Sequence, residues 1–110
     1  MPANFEQLKS QLEGDLFTDN VQRVLYSTDA SQYKEMPLAV TKPKNKDDIK
    51  KIIAFARENN TPIIPRGAGT SLAGQVVGNG IVVDVSKYMN KILNFNKDEN
   101  YVVVEPGVVL

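Results

Sequence analysis

The residues with chemical potential cluster in one stretch, Pro65-Arg66-Gly67-Ala68-Gly69-Thr70-Ser71-Leu72-Ala73-Gly74. Three of the chain's seven glycines fall within eight positions there. Glycine lacks a Cβ, so its backbone adopts positive φ and lets a ligand approach closely. Successive N–H groups in such a loop can converge on an anion, as they do in backbone nests. Thr70 and Ser71 add hydroxyl donors. Many short donors and little bulk suit a diphosphate. A plain structural turn is the competing reading of any glycine-rich loop. The chain has no cysteine and no histidine. It therefore offers no thiolate nucleophile, no iron–sulfur ligand and no imidazole base.

Two well-known phosphate loops do not fit. A P-loop requires Gly-x4-Gly-Lys-Ser/Thr. Gly69 and Gly74 have that spacing, but Gln75 and Val76 stand where Lys and Ser/Thr belong. A dinucleotide fingerprint requires Gly-x-Gly-x-x-Gly at the start of a helix. Gly67-Ala68-Gly69 begins correctly, but Leu72 occupies the third glycine position. Beyond the loop, Val76-Val77 and Gly78-Asn79-Gly80 read as strand and turn rather than helix.

The elements that must position this loop are legible on either side. Before it, Thr61 to Pro65 reads as a strand. Asn45 to Asn59 reads as a helix: Asn45 caps it, and Asp47 and Asp48 favour the positive end of the dipole. Ile49, Ile52, Ile53 and Ala56 recur at helical spacing as a stripe expected to be buried. Lys46, Lys50, Lys51, Arg57 and Glu58 form a solvated face. Leu38-Ala39-Val40-Thr41 reads as a buried strand closed by Pro43. Strand, helix and strand make a βαβ unit with a right-handed crossover and parallel strands. After the loop, Ile81 to Val85 reads as a strand. Lys91 to Phe95 and Tyr101 to Glu105 read as a hairpin ended by Pro106-Gly107.

The first 36 residues read as a helical lead-in. Asn4 caps a helix running to Glu13, with Gln7 at the capping-box position and Gly14 at C′. Phe5, Leu8 and Leu12 share one face. A second short helix follows Thr18 or Asp19 and carries Val21, Val24 and Leu25. Tyr26 to Ser31 is rich in turn formers, with Asp29 and the hydroxyls capping local N–H groups.

At 110 residues the chain is one small domain or part of one. Its 13 basic and 13 acidic side chains cancel, which argues against a general nucleic-acid binder. No apolar run approaches the roughly 20 residues of a membrane span. Met1-Pro2-Ala3-Asn4-Phe5-Glu6 lacks the basic and apolar regions of a signal peptide. The lack of cysteine fits a cytoplasmic chain. The run Val108-Val109-Leu110 carries no polar tail, as expected of a chain cut inside a larger domain.

Taken in order, several segments resemble the FAD-linked oxidase family, whose fold is shared with vanillyl-alcohol oxidase and p-cresol methylhydroxylase. Within it the chain is most similar to the D-lactate dehydrogenase and glycolate oxidase flavoprotein branch. The matching segments are Tyr26-Ser27-Thr28-Asp29, Pro37-Leu38-Ala39-Val40 before Pro43, and Pro65 to Gly74. They continue with Asp84-Val85-Ser86-Lys87-Tyr88-Met89-Asn90-Lys91-Ile92 and Val104-Glu105-Pro106-Gly107-Val108. The resemblance covers nearly everything after Leu25.

The resemblance implies an α/β fold, the N-terminal subdomain of a PCMH-type FAD-binding domain with a small sheet, a βαβ unit and flanking helices. Residues 37–110 would be its first part. The N–H groups of Gly67 to Ser71 would hold the FAD diphosphate, assisted by the Thr70 and Ser71 hydroxyls. The implied cofactor-binding set is Arg66, Gly67, Ala68, Gly69, Thr70, Ser71, Leu72, Gly74, Pro106, Gly107 and Val108. Gly107 and Val108 would lie toward the adenine or flavin. Relatives with covalent flavin carry a histidine where this chain has Thr70, so non-covalent FAD is expected. Ala68 replaces a glycine seen in many relatives. The full-length parent would oxidise a 2-hydroxy acid such as D-lactate or glycolate by hydride transfer to flavin, with a second electron acceptor. It would be cytoplasmic, or peripheral at the inner face of the membrane. The resemblance assigns no catalytic or metal residue to this chain. The chain alone would be inactive and prone to self-associate. The alternative is a stand-alone binding module without redox activity.

Overall fold

The computed structural model describes residues 4–109. Met1, Pro2 and Ala3 of the leader reading and Leu110 of the terminal apolar run lie outside them. Helix α1 spans Phe5–Gln11, with Asn4 accepting from the Gln7 N–H at 3.3 Å. The expected C′ glycine is a correction: Leu12 is the C-cap, and Gly14 serves a different purpose. Strand β1, Asp15–Phe17, follows and helix α2 spans Asn20–Leu25, capped by Asp19. The lead-in therefore contains a strand that its residues did not announce. Its three residues are too few to display an alternating pattern.

Strand β2 is Ala39–Lys42, helix α3 Lys46–Glu58, strand β3 Ile63–Arg66 and strand β4 Ile81–Asp84. They form one sheet with β1 in the order β1-β2-β4-β3. Strand β4 runs parallel to both β2 and β3, while β1 is antiparallel to β2. The expected βαβ unit is thus present, with parallel strands and β4 inserted between its two arms. Pro65 cannot donate to a ladder, and it sits on β3 at the edge of the sheet, where no donor is needed on the outer side.

Helix α3 starts where the Asn45 side chain accepts from the Asp48 N–H at 2.9 Å. Ile52 and Ala56 pack against Ile81 and Val83, with Phe5, Leu12, Phe55 and Ile63 around them. Ile53 departs from the expected stripe and is about half exposed; the α3 positions that are fully buried are Asp48, Ile52 and Ala56. The Phe5 ring lies 5.4 Å from that of Phe55, which fastens α1 to α3. Thr41, fully buried in β2, donates its hydroxyl to the Val82 carbonyl at 3.0 Å.

Strands β5, Ile92–Asn96, and β6, Tyr101–Val104, form a separate antiparallel hairpin with a bulge between Ile92 and Asn94. Its apolar residues Ile92, Leu93, Phe95 and Val102 are exposed.

Candidate functional site

Because β2, β3 and β4 are parallel, their last residues Lys42, Arg66 and Asp84 meet at one edge of the sheet. Ligand loops of open α/β sheets belong at this carboxyl edge. The glycine-rich loop leaves β3 there, outside any regular helix. Beside it lies a cleft of about 390 Å³ lined by Gln22, Leu25, Tyr26, Lys42, Arg66, Gly67, Ala68, Asp84 and Ser86.

The loop's geometry has three distinctive features. First, Gly69 and Gly74 take φ of +72° and +71°, conformations that side chains resist. A Cβ on Gly69 would also fall 2.4 Å from the Arg66 guanidinium. Second, a Cβ on Gly67 would meet none of the described residues within 4 Å. Neither a positive φ nor the packing of the protein asks for glycine at 67, so the open space on that side suits a ligand. Third, among the described residues the N–H groups of Ala68, Gly69, Thr70 and Ser71 donate to no protein acceptor. Consecutive unmatched donors in a glycine-rich turn are what an anion requires.

Not every expected donor is free. The Ser71 hydroxyl donates to Gln75 Oε1 at 2.9 Å and accepts from the Gln75 N–H at 3.2 Å, closing the loop on itself. Leu72 is 81% exposed and Thr70 is also exposed. Arg66 Nη1 donates to the Val76 carbonyl at 3.4 Å, and its guanidinium lies 5.0 Å from the Tyr26 ring centroid.

Pro106, Gly107 and Val108 do not line this cleft. Pro106 borders an apolar groove with Ile53, Ile63, Pro65 and Val85. Gly107 packs against the turn after β4, donating to the Met89 carbonyl at 2.7 Å. A Cβ there would lie 2.2 Å from the Val85 carbonyl oxygen. Val108 is half-buried and donates to the Glu105 carbonyl.

The cleft also contains residues to which the sequence alone assigned no site role. The Tyr26 hydroxyl donates to Asp84 Oδ2, while Asp84 Oδ1 accepts from Ser86 N at 2.8 Å. Burial, then the hydrogen bond and charge of Asp84, push the Tyr26 phenol up, against the opposing pull of Arg66. Tyr26 is thus a protonated donor and not a base. Lys42 Nζ stands 5.6 Å from the same ring, so cations flank the phenol. Gln22 Oε1 is buried without a partner among the described residues. The signal for Lys42 and Asp84 was their place at the ends of strands that prove to be parallel.

The family model described as "FAD binding domain" matches residues 37–110, more than half of the chain. This chain belongs to that family. The chain is 40% identical over 107 residues to glycolate oxidase subunit GlcD of Bacillus subtilis, covering 94% of this chain and 23% of that protein. It is 41% identical over 108 residues to D-2-hydroxyglutarate dehydrogenase of Pantoea ananatis, covering 94% of this chain and 11% of that protein. The chain thus spans less than a quarter of the length of these relatives. In fold it is similar to alkyldihydroxyacetonephosphate synthase, with a TM-score of 0.82 and 22% identity, covering 94% of this chain and 22% of that one. It is similar also to p-cresol methylhydroxylase, with a TM-score of 0.73 and 20% identity, covering 94% and 21%. The FAD-binding domain therefore has the PCMH-type architecture. Among the described residues no helix is long and apolar enough to cross a membrane, and no acidic cluster could hold a metal ion.

Proposed function

We propose that the Gly67–Gly74 loop grips the diphosphate of non-covalently bound FAD in a flavoprotein that oxidises a 2-hydroxy acid. The observation that carries the first half is the run of N–H groups from Ala68 to Ser71, which among the described residues lack protein acceptors, at the carboxyl edge of a parallel sheet. The open side of Gly67 leaves room for an oxygen-rich group against the main chain. Arg66 supplies positive charge at the foot of the loop, and the Thr70 hydroxyl can add a donor. Leu72 and Gly74 complete the turn without crowding it. Pro106, Gly107 and Val108 would face the adenine or flavin side only indirectly, through the strand end that Gly107 fastens to Met89.

The second half rests on the relatives. Glycolate and D-2-hydroxyglutarate, which those proteins' names contain, are both 2-hydroxy acids. Bound FAD would supply the hydride acceptor and relay electrons to a second acceptor. This chain's own residues bind and orient; none of them is assigned to proton transfer. The family resemblance implies a histidine in covalent relatives where this chain has Thr70, which supports a dissociable cofactor.

The test is Gly67→Val in the full gene product. The added side chain meets no protein atom at its Cβ, so the fold should persist while diphosphate space is filled. Loss of bound flavin with an unchanged circular-dichroism spectrum and melting temperature is expected. A Gly67→Val protein that purifies with full flavin occupancy overturns the assignment.

A further inference from the structure

The segment Tyr26–Tyr33 lies outside residues 37–110, which the family model matches. It touches the glycine-rich loop at three points spread along its length. The Tyr26 ring packs under the Arg66 guanidinium at 5.0 Å. The Ala30 N–H donates to the Gly69 carbonyl at 3.1 Å. The Tyr33 ring lies so close to Gly74 that a Cβ there would fall 2.7 Å from Tyr33 Cδ2. We propose that Tyr26–Tyr33 is a positioning brace that presets the loop for its anionic ligand; this rests on the diphosphate reading of the loop.

The middle contact has a directional consequence. A trans peptide is planar, and its C=O and N–H point in opposite directions. The Gly69 carbonyl and the Thr70 N–H belong to one peptide. Holding that carbonyl toward Ala30 therefore aims the Thr70 N–H away from the segment, where it has no protein acceptor among the described residues. The Tyr33 contact fixes the far end of the loop in the same way, since Gly74 keeps its positive φ against the ring.

A brace must itself be stiff, and this one closes on itself. The Glu35 N–H donates to the Ser27 carbonyl at 2.9 Å, and Thr28 pairs with Lys34 in an isolated bridge. Asp29 accepts from the Ser31 N–H at 2.8 Å and from its hydroxyl, and the Tyr33 N–H donates to Ser31 Oγ at 3.1 Å. Tyr26 anchors the start of the segment to Asp84 on β4. Tyr33, by contrast, is 54% exposed and contributes little to the core. Its closeness to Gly74 is thus better explained by holding the loop than by holding the fold. A loop fixed before binding avoids the ordering cost that a free loop incurs.

The experiment uses the full gene product with Tyr33→Ala, Tyr33→Phe and Gly67→Val. Flavin-fluorescence titration gives FAD affinity, and amide hydrogen exchange on the apoprotein reports on Ala30, whose N–H holds the Gly69 carbonyl. Tyr33→Ala should weaken FAD binding about fivefold to tenfold, the scale of one loop-ordering term. It should speed exchange at Ala30 and leave the apoprotein's melting temperature unchanged. Tyr33→Phe should match wild type, because the ring and not the hydroxyl meets Gly74. Wild-type affinity and exchange in Tyr33→Ala overturn the brace. So does a lowered melting temperature with unchanged Ala30 exchange, which marks an ordinary packing role. If Gly67→Val loses FAD while Tyr33→Ala is silent, the brace fails and the diphosphate loop stands. If Gly67→Val retains FAD, the loop reading and the brace fail together.

Discussion

Asp48 accepts a hydrogen bond from the main-chain N–H of Gly14 at 2.8 Å, joining the start of α3 to the chain 34 residues earlier. The same carboxylate also accepts from Glu13 N and Lys44 N, each at 2.9 Å. Gly14 has to be glycine because a Cβ would sit 2.1 Å from the Lys42 carbonyl oxygen. The carboxylate is 1% exposed, so these donors replace its water. Asp48→Asn turns an amide toward N–H groups that need an acceptor. It should lower stability by about 2–3 kcal/mol in urea unfolding, the scale of hydrogen bonds lost to a buried charge.

The same group sets an acid limit. Burial alone would raise the Asp48 carboxyl, but the N–H groups of Lys44, Glu13 and Gly14, with the Lys51 charge, hold it below its ordinary range. A carboxyl lowered in the fold stabilises the protein fully above its unfolded pKa of about 3.9. That contribution fades as pH falls through the lower folded value. The urea midpoint should therefore drop as pH goes below about 4, and the drop should be shallower in Asp48→Asn. Equal slopes in the two proteins would refute the role. Asp15 is lowered likewise: burial opposes, while hydrogen bonds from Lys87 and Tyr88 prevail, so part of the slope should survive.

Gly107→Ala should destabilise the protein by about 1–3 kcal/mol, the usual cost of overpacking. Its Cβ would fall 2.2 Å from the Val85 carbonyl oxygen and 2.6 Å from that of Met89, where only backbone could yield. Thermal melting gives the loss directly. An unchanged melting temperature would mean that the β4 turn is soft and Gly107 is free for another role.

Acid precipitation of the flavin-loaded full gene product should leave all flavin in the supernatant, because Thr70 offers no imidazole for a covalent link. Flavin fluorescence in the washed pellet, traced by peptide mapping to this chain, would contradict non-covalent binding.

The 110-residue chain on its own should self-associate. Phe95 is 70% exposed and Ile92 66% exposed on a two-stranded hairpin, and isolated hairpins are marginal in water. Exposed strand edges and apolar patches pair with other chains. Light scattering should report a dimer or larger species, and Phe95→Lys should shift it toward monomer. A monomer at all concentrations, with or without the substitution, would dispose of this expectation.

The legible parts of the fold were those whose cause is local. Asn45 and Asp48 announce the start of α3, and Asn96 to Asn100 announces the hairpin turn, because caps and turns are read within a few residues. The glycine-rich loop was visible for the same reason. Strand β1 was not, since Leu16 becomes a strand residue only by pairing with Thr41 on β2. Tyr26 stands 58 residues from Asp84, and nothing near either one predicts their hydrogen bond. The Ser71 hydroxyl looked available until Gln75 folded back onto it. Ile53 fits the helical spacing, yet the described sheet covers only the part of the stripe that holds Ile52 and Ala56.

The place of β4 between β2 and β3 bears on how the molecule is made. As the chain leaves the ribosome, β2 and β3 emerge first, and neither is the other's neighbour in the finished sheet. The strand that both must grip arrives after the glycine-rich loop has been synthesised. Until Ile81–Asp84 is free to enter, only the β1–β2 pair of the sheet can form. The carboxyl edge, where Lys42, Arg66 and Asp84 meet, thus comes into being in a single late event. A nascent chain stalled before residue 81 should remain open to proteases and chaperones along β3 and the unpaired edge of β2.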